Sequence, residues 1–124
     1  MPTPQINVVI SFNATNTVAY TYTQPRGQSY TNSPSCDLAI TQATNCLFVL
    51  DYASTLAGWT ITGISPNPAG AEVLPSTLGP AGLSLMTNDP FNEAGHVFNY
   101  YINYTNTVTG MNTSQDPQEG NQPP

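Results

Sequence analysis

The sequence predicts an all-β protein: a single antiparallel β-sandwich of immunoglobulin-like or cupredoxin-like type, with roughly six to eight short strands and an extended, Pro-containing C-terminal tail. Three observations point there. Apolar residues recur at every second position in several segments, the period of a strand with one buried face. Turn-forming residues separate these segments, with 12 Pro and 9 Gly in 124 residues. No stretch repeats with a helical period, and no helix-capping pattern stands out.

In "QINVVISF", Ile6, Val8, Ile10 and Phe12 share one face. In "NTVAYTYT", Val18, Tyr20 and Tyr22 oppose Thr17, Ala19, Thr21 and Thr23. Asn13-Ala14-Thr15 between them is a hairpin-length connection. "QPRGQSYTNSPS" reads as a loop, and a short strand with Leu38 and Ile40 inward follows. "NCLFVLDY" is nearly continuous in apolar residues, as in a central strand buried on both faces. "GWTITGIS" sets Trp59 and Ile61 against Thr60 and Thr62. The Pro/Gly-rich stretch from Ser65 to Gly82 leaves room for one short edge strand around Glu72 to Leu74, and "LSLMT" is a further strand. In "HVFNYYINYTNTVTG", Phe98, Tyr100, Ile102 and Tyr104 alternate with Asn99, Tyr101, Asn103 and Thr105, in a strand that reaches, with a bend, toward Val108.

Only 6% of residues are charged: Arg26 is the single basic side chain, and the net charge is -6. Phosphate recognition requires several Lys or Arg, so nucleic acid is excluded as a partner, and anionic membrane surfaces with it. No segment approaches the ~20 apolar residues of a membrane-spanning helix. The start, "MPTPQINVVISF", lacks the basic region and apolar length of a signal peptide. The expectation is a cytoplasmic or particle-associated protein, or a surface protein whose leader has been removed. A surface built from Thr, Asn, Ser and Gln repels its neighbours weakly, which suits contact with copies of itself or with sugars. Cys36 and Cys46 are expected as free, buried thiols, with a disulfide across a loop as the alternative.

Chemistry has few candidates. With one His, a blue-copper site and a structural zinc site lack ligands. A hydrolytic triad would have to join His96 to Asp89 or Asp51, and no Gly-x-Ser-x-Gly elbow supplies the nucleophile. The chain is therefore read as non-enzymatic, with no cofactor. Asn88, Asp89, Asn92 and Glu93 are dense enough in oxygen to be a candidate calcium loop, although this is also ordinary turn composition. Tyr101, flanked by Asn99 and Asn103 on the face opposite Tyr100, is a candidate sugar platform. Without Lys, internal Lys–Asn cross-links cannot form.

The composition divides the chain into a sandwich at 1–113 and a strap at 114–124, "SQDPQEGNQPP". Asp116-Pro117 and Pro123-Pro124 favour an extended path. Such a strap could cover a sheet edge of its own domain or add a strand to a neighbour. Asp116, Pro117, Gln118, Asn121 and Pro123, with Tyr100, Tyr101 and Gly110 upstream, resemble the end of the small bacterial DP-EP family proteins. More distantly they resemble the PixA/AidA-like inclusion-body proteins. The resemblance implies a β-sandwich and a structural tail, and brings no catalytic residues. Two functions follow as expectations. The first is a self-associating structural subunit of a filament, lattice, inclusion or coat. The alternative is a carbohydrate-binding module, assisted by calcium.

Overall fold

The structure is a computed structural model and describes residues 3–123. It is an all-β sandwich of eleven strands. The first sheet contains β1 (Gln5–Phe12), β2 (Val18–Thr23), β3 (Ser29–Ser33), β5 (Thr44–Leu50), β7 (Ser76–Leu78) and β8 (Ser84–Asp89), in the order β3-β2-β1-β5-β8-β7. The second contains β4 (Asp37–Ile40), β6 (Trp59–Pro66), β9 (Val97–Asn106), β10 (Asn112–Gln115) and β11 (Gln118–Asn121). There β6 lies on one side of β9, while β10 and β11 lie along the other, and β11 also pairs with β4.

The sheets are mixed, which corrects the expectation of a wholly antiparallel fold. β1 and β5 run parallel, as do β4 and β11. Parallel neighbours need a long crossover, and here the chain makes each one by leaving one sheet and returning from the other. Alternation put the inward residues on the correct face. Ile6, Val8, Ile10, Tyr20, Tyr22, Cys46, Phe48 and Leu85 from the first sheet meet Leu38, Ile40, Ile61, Tyr100, Ile102 and Tyr104 from the second. Phe12 stacks on Trp59 across the interface, with centroids 3.9 Å apart, and Tyr104 meets the Phe12 ring edge-on. β5 is central, as expected, but only one of its faces is fully buried; Asn45, Leu47 and Val49 on the other are half-buried.

Several segments differ from expectation for local reasons. β3 lies in the stretch read as a loop. It is an edge strand with almost every side chain exposed, so no apolar alternation marks it. The edge strand of the Pro/Gly-rich stretch forms at Ser76–Leu78 rather than near Glu72–Leu74. A single helical turn, α1 (Tyr52–Leu56), follows β5. Asp51 caps it by accepting the Ser54 backbone N–H at 2.8 Å and is itself held by the Ser11 hydroxyl at 2.7 Å. β9 stops at Asn106, short of Val108, because the Asn106 carboxamide oxygen accepts the N–H groups of Val108 and Thr109 and folds the chain into a turn. Gly110, at φ +78°, completes that turn.

The tail is the largest correction. β10 spans the boundary drawn at residue 113, and β11 lies inside the second sheet, between β9 and β4. Gln115 pairs with Ile102 and Gln118 with Asn99, so register is unchanged across Asp116-Pro117. β10 and β11 are thus one return strand of a hairpin with β9, interrupted where Pro117 cannot donate to the ladder. Pro117, Glu119 and Asn121 point inward and are buried, while Asp116 and Pro123 are exposed and Gln118 is half-buried. Arg26 reaches the end of the chain and donates to the Pro123 carbonyl at 2.9 Å. Pro124, part of the expected strap, lies outside the described residues.

Deleting residues 114–124 is therefore expected to abolish cooperative unfolding, read by thermal circular dichroism. A truncated chain that keeps a sharp transition near the intact midpoint would contradict the placement of β11.

Candidate functional site

The most constrained polar groups lie between the sheets. On β8, Thr87 and Asp89 point inward; on β11, Glu119 and Asn121 do the same. Glu119 is 0% exposed. The Thr87 hydroxyl donates to its Oε2 at 2.6 Å, and the Tyr100 hydroxyl donates to the same oxygen. The Cys46 thiol donates to Oε1 at 3.3 Å. Thr87 and Cys46 are direct partners in the first sheet, while Tyr100 and Glu119 belong to the second. One carboxyl group thus ties the two layers together.

Burial raises the Glu119 pKa from its ordinary value, outweighing the hydrogen bonds that favour its ionised form. Asp89 is raised by burial too, although the Phe91 N–H donates to its Oδ1 at 2.9 Å. Its other oxygen, Oδ2, and the Asn121 Oδ1 are both buried without a hydrogen-bond donor. The two residues lie side by side at the end of this polar seam. Beyond Asn121 a cleft of about 440 Å³ opens, lined by Leu74, Phe98, His96, Glu72 and Glu93 among others. His96 Nε2 is 3.5 Å from Glu72 Oε2, and its ring stacks on Phe98. Asp51 lies at the opposite end of β5, far from His96.

The sugar trio holds together in part. Asn99, Tyr101 and Asn103 share the outer face of β9 and are half-buried. However, the Asn103 side chain donates to Ser65 at 2.9 Å and accepts from Ser114 at 2.8 Å, so its amide is spent within the sheet. The candidate calcium loop is split. Asn88 faces outward and donates to Asn45 at 2.6 Å, Asp89 faces inward, and Asn92 and Glu93 are exposed. Among the described residues, no three His, Cys, Asp or Glu side chains gather where they could hold a metal ion. Cys36 and Cys46 are free and buried, and burial raises both thiol pKa values well above the ordinary range.

No family model and no curated protein sequence matches the chain.

The outside of the molecule is organised around its two poles. The strand registers place Phe12, Leu50, Asn106 and α1 at one pole, and Gln5, Thr44, Asp89 and His96 at the other. Tyr52, Leu56 and Val108, at 77%, 67% and 77% exposure, crowd the first pole. Tyr52 and Leu56 lie one helical turn apart on α1. Val108 packs so closely on the backbone just beyond α1 that a Cβ at Gly58 would lie 2.8 Å from its Cγ2. On the first sheet's outer face, Val9, Leu47, Val49 and Met86 form a contiguous aliphatic patch, and no outward side chain of β1, β2, β5 or β8 is charged. The outer edge of β4 is closed by Gln24, whose side-chain amide donates to the Asp37 carbonyl and accepts the Ala39 N–H at 2.9 Å.

A raised carboxyl pKa makes stability fall as pH rises. The unfolded chain ionises first, and the penalty grows from the ordinary carboxyl pKa of about 4.3 until the folded value is passed. Asp89 contributes with the same sign. Asp51 contributes with the opposite sign: burial raises its pKa, but the Ser54 and Ser11 hydrogen bonds together lower it further. Glu119→Gln is expected to flatten the decline of unfolding free energy that sets in as pH rises above about 4, measured in urea, while keeping the fold. Glu119→Ala is expected to cost roughly 3–5 kcal/mol, by opening a cavity and stranding the Tyr100 and Thr87 hydroxyls.

Proposed function

We propose that the protein is a non-enzymatic structural subunit that associates with copies of itself to build a filament, lattice, inclusion or coat. The observation that carries this reading is the apolar pole: among the described residues, the three most exposed large apolar side chains, Tyr52, Leu56 and Val108, stand at one end of the sandwich. Two further features support it. Charge is kept off the outer face of the first sheet, so lateral contact brings little repulsion and little desolvation of ions. An apolar contact at one pole pairs like poles, and growth beyond a pair requires a second contact, for which the aliphatic patch on the first sheet's outer face is available.

The mode of contact differs from the one the tail suggested. β11 is used within its own subunit, and the β4 edge is closed by Gln24. Donation of the tail as a strand to a neighbour is therefore disfavoured, and packing through side chains is favoured. Kinship with the DP-EP family is part of this proposal and rests on Asp116, Pro117, Gln118, Asn121 and Pro123, with Tyr100, Tyr101 and Gly110 upstream. Carbohydrate binding at Asn99, Tyr101 and Asn103 gains no support, because the Asn103 amide is already paired on both sides.

Sedimentation velocity and light scattering test the reading. The wild-type chain is expected to form species larger than a monomer as concentration rises. Leu56→Glu and Val108→Glu are each expected to weaken association about ten-fold or more, since burying one such side chain contributes about 1.5–3 kcal/mol. Both side chains are exposed, so unfolding midpoints should hardly move. A wild-type chain that stays monomeric at high concentration, or variants that assemble unchanged, would reject it.

A further inference from the structure

At the pole opposite α1, a groove of about 740 Å³ lies between the start of β1, the end of β2, β3 and the β4–β5 connection. That volume falls in the range of small-molecule sites, about 300–1,000 Å³. We propose that this groove is a binding site for a neutral oligosaccharide.

The argument begins with Tyr30, which is 41% exposed on an edge strand. An exposed tyrosine is ordinarily free to turn. Here the ring lies on Tyr22, with centroids 5.0 Å apart and planes 26° apart. Tyr22 is in turn buried, and its hydroxyl accepts the Asp37 N–H at 3.3 Å. Tyr30 is thus a fixed aromatic platform, the surface on which the C–H face of a pyranose packs.

Elsewhere in the lining, on the outward parity of β1, the Gln5 carboxamide donates to the Asn7 carboxamide oxygen at 2.7 Å. That bond orients both amides and leaves the Asn7 Nδ2 hydrogens and the Gln5 Oε1 without a partner in the protein. A free donor and a free acceptor can serve sugar hydroxyls, which both accept and donate. Thr31, Thr41 and Gln42 add further hydroxyl and amide groups to the wall.

The lining also decides against other ligands. None of the residues around the groove is charged. An ionic ligand would shed water here with no counter-charge to receive it, whereas a polyhydroxylated neutral ligand finds a partner for each group it desolvates. A peptide adding a strand to β3 meets a broken ladder, because the β2–β3 register shifts between Tyr20 and Tyr22 and Asn32 sits at φ +50°. The platform therefore lies far from the β9 trio that alternation suggested, and uses none of its residues.

The test is an amide NMR titration of the intact protein with cellohexaose, laminarihexaose, mannohexaose and chitohexaose. A heparin fragment and a neutral extended peptide serve as the competing classes. At least one neutral sugar is expected to shift the amides of Gln5, Asn7 and Tyr30, with no dependence on salt or on EDTA. Tyr30→Ala and Gln5→Ala are each expected to weaken that sugar about ten-fold or more while leaving the remaining spectrum in place. The proposal is overturned if no sugar moves these amides at millimolar concentration, if heparin or the peptide occupies the groove instead, or if Tyr30→Ala binds as tightly as the wild type.

Discussion

A carboxyl group at the centre of a sandwich must be neutral, or fully hydrogen-bonded, or the layers around it separate. Glu119 meets this condition with donors from both sheets: Thr87 and Cys46 on one side, Tyr100 on the other. It is delivered by β11, one of the last strands of the chain, and β11 is held by β9 and β4. The arrangement makes the polar C-terminal segment part of the core. The first sheet reaches this segment through β8, the second through β9, and Arg26 secures the residues beyond it. Asp89 and Asn121 repeat the contact one step further along the same two facing strands, at the point where the sandwich opens into the His96 cleft.

The seam also shapes the surface. Two of the seven acidic residues, Asp89 and Glu119, are withdrawn into the interior. The remaining acids stand at strand ends, edges and connections, and the outer face of the first sheet presents only amides, hydroxyls and aliphatic groups. A molecule with so little ionic character at its faces is governed by shape and hydrogen bonding when it meets another. Its poles differ in kind: apolar side chains project at one, and a polar, uncharged groove opens at the other. Self-association and glycan binding therefore draw on separate surfaces and need not compete.

Much of the fold was legible where one face of a strand is apolar. Ile6 to Phe12, Val18 to Tyr22 and Phe98 to Tyr104 each alternate, and each forms a strand with those residues inward. β3 was not legible because Ser29–Ser33 buries neither face. α1 is a single turn, too short for a helical period to appear, although Asp51 followed three residues later by Ser54 was a readable cap. The parallel pairings of β1 with β5 and β4 with β11 depend on contacts distant in sequence, which no local pattern carries. β11 was the hardest to see, because Gln118–Asn121 holds no apolar residue and looks like a solvated tail. Its signal was one of register. The hairpin begun by β9 and β10 continues past Pro117 without a slip, and this puts Glu119 on the inward parity.

Native-state hydrogen exchange of the intact chain tests this account most directly. The Gln118 and Asn121 amides donate to Cys36 and His96 within the fold. If the seam holds the sheets together, they exchange only through global unfolding, with the same free energy as the amides of β5 and β9, and that energy falls as pH rises above about 4. Exchange of these amides at loop rates, while β5 and β9 stay protected, would show that the sandwich stands without its last strand.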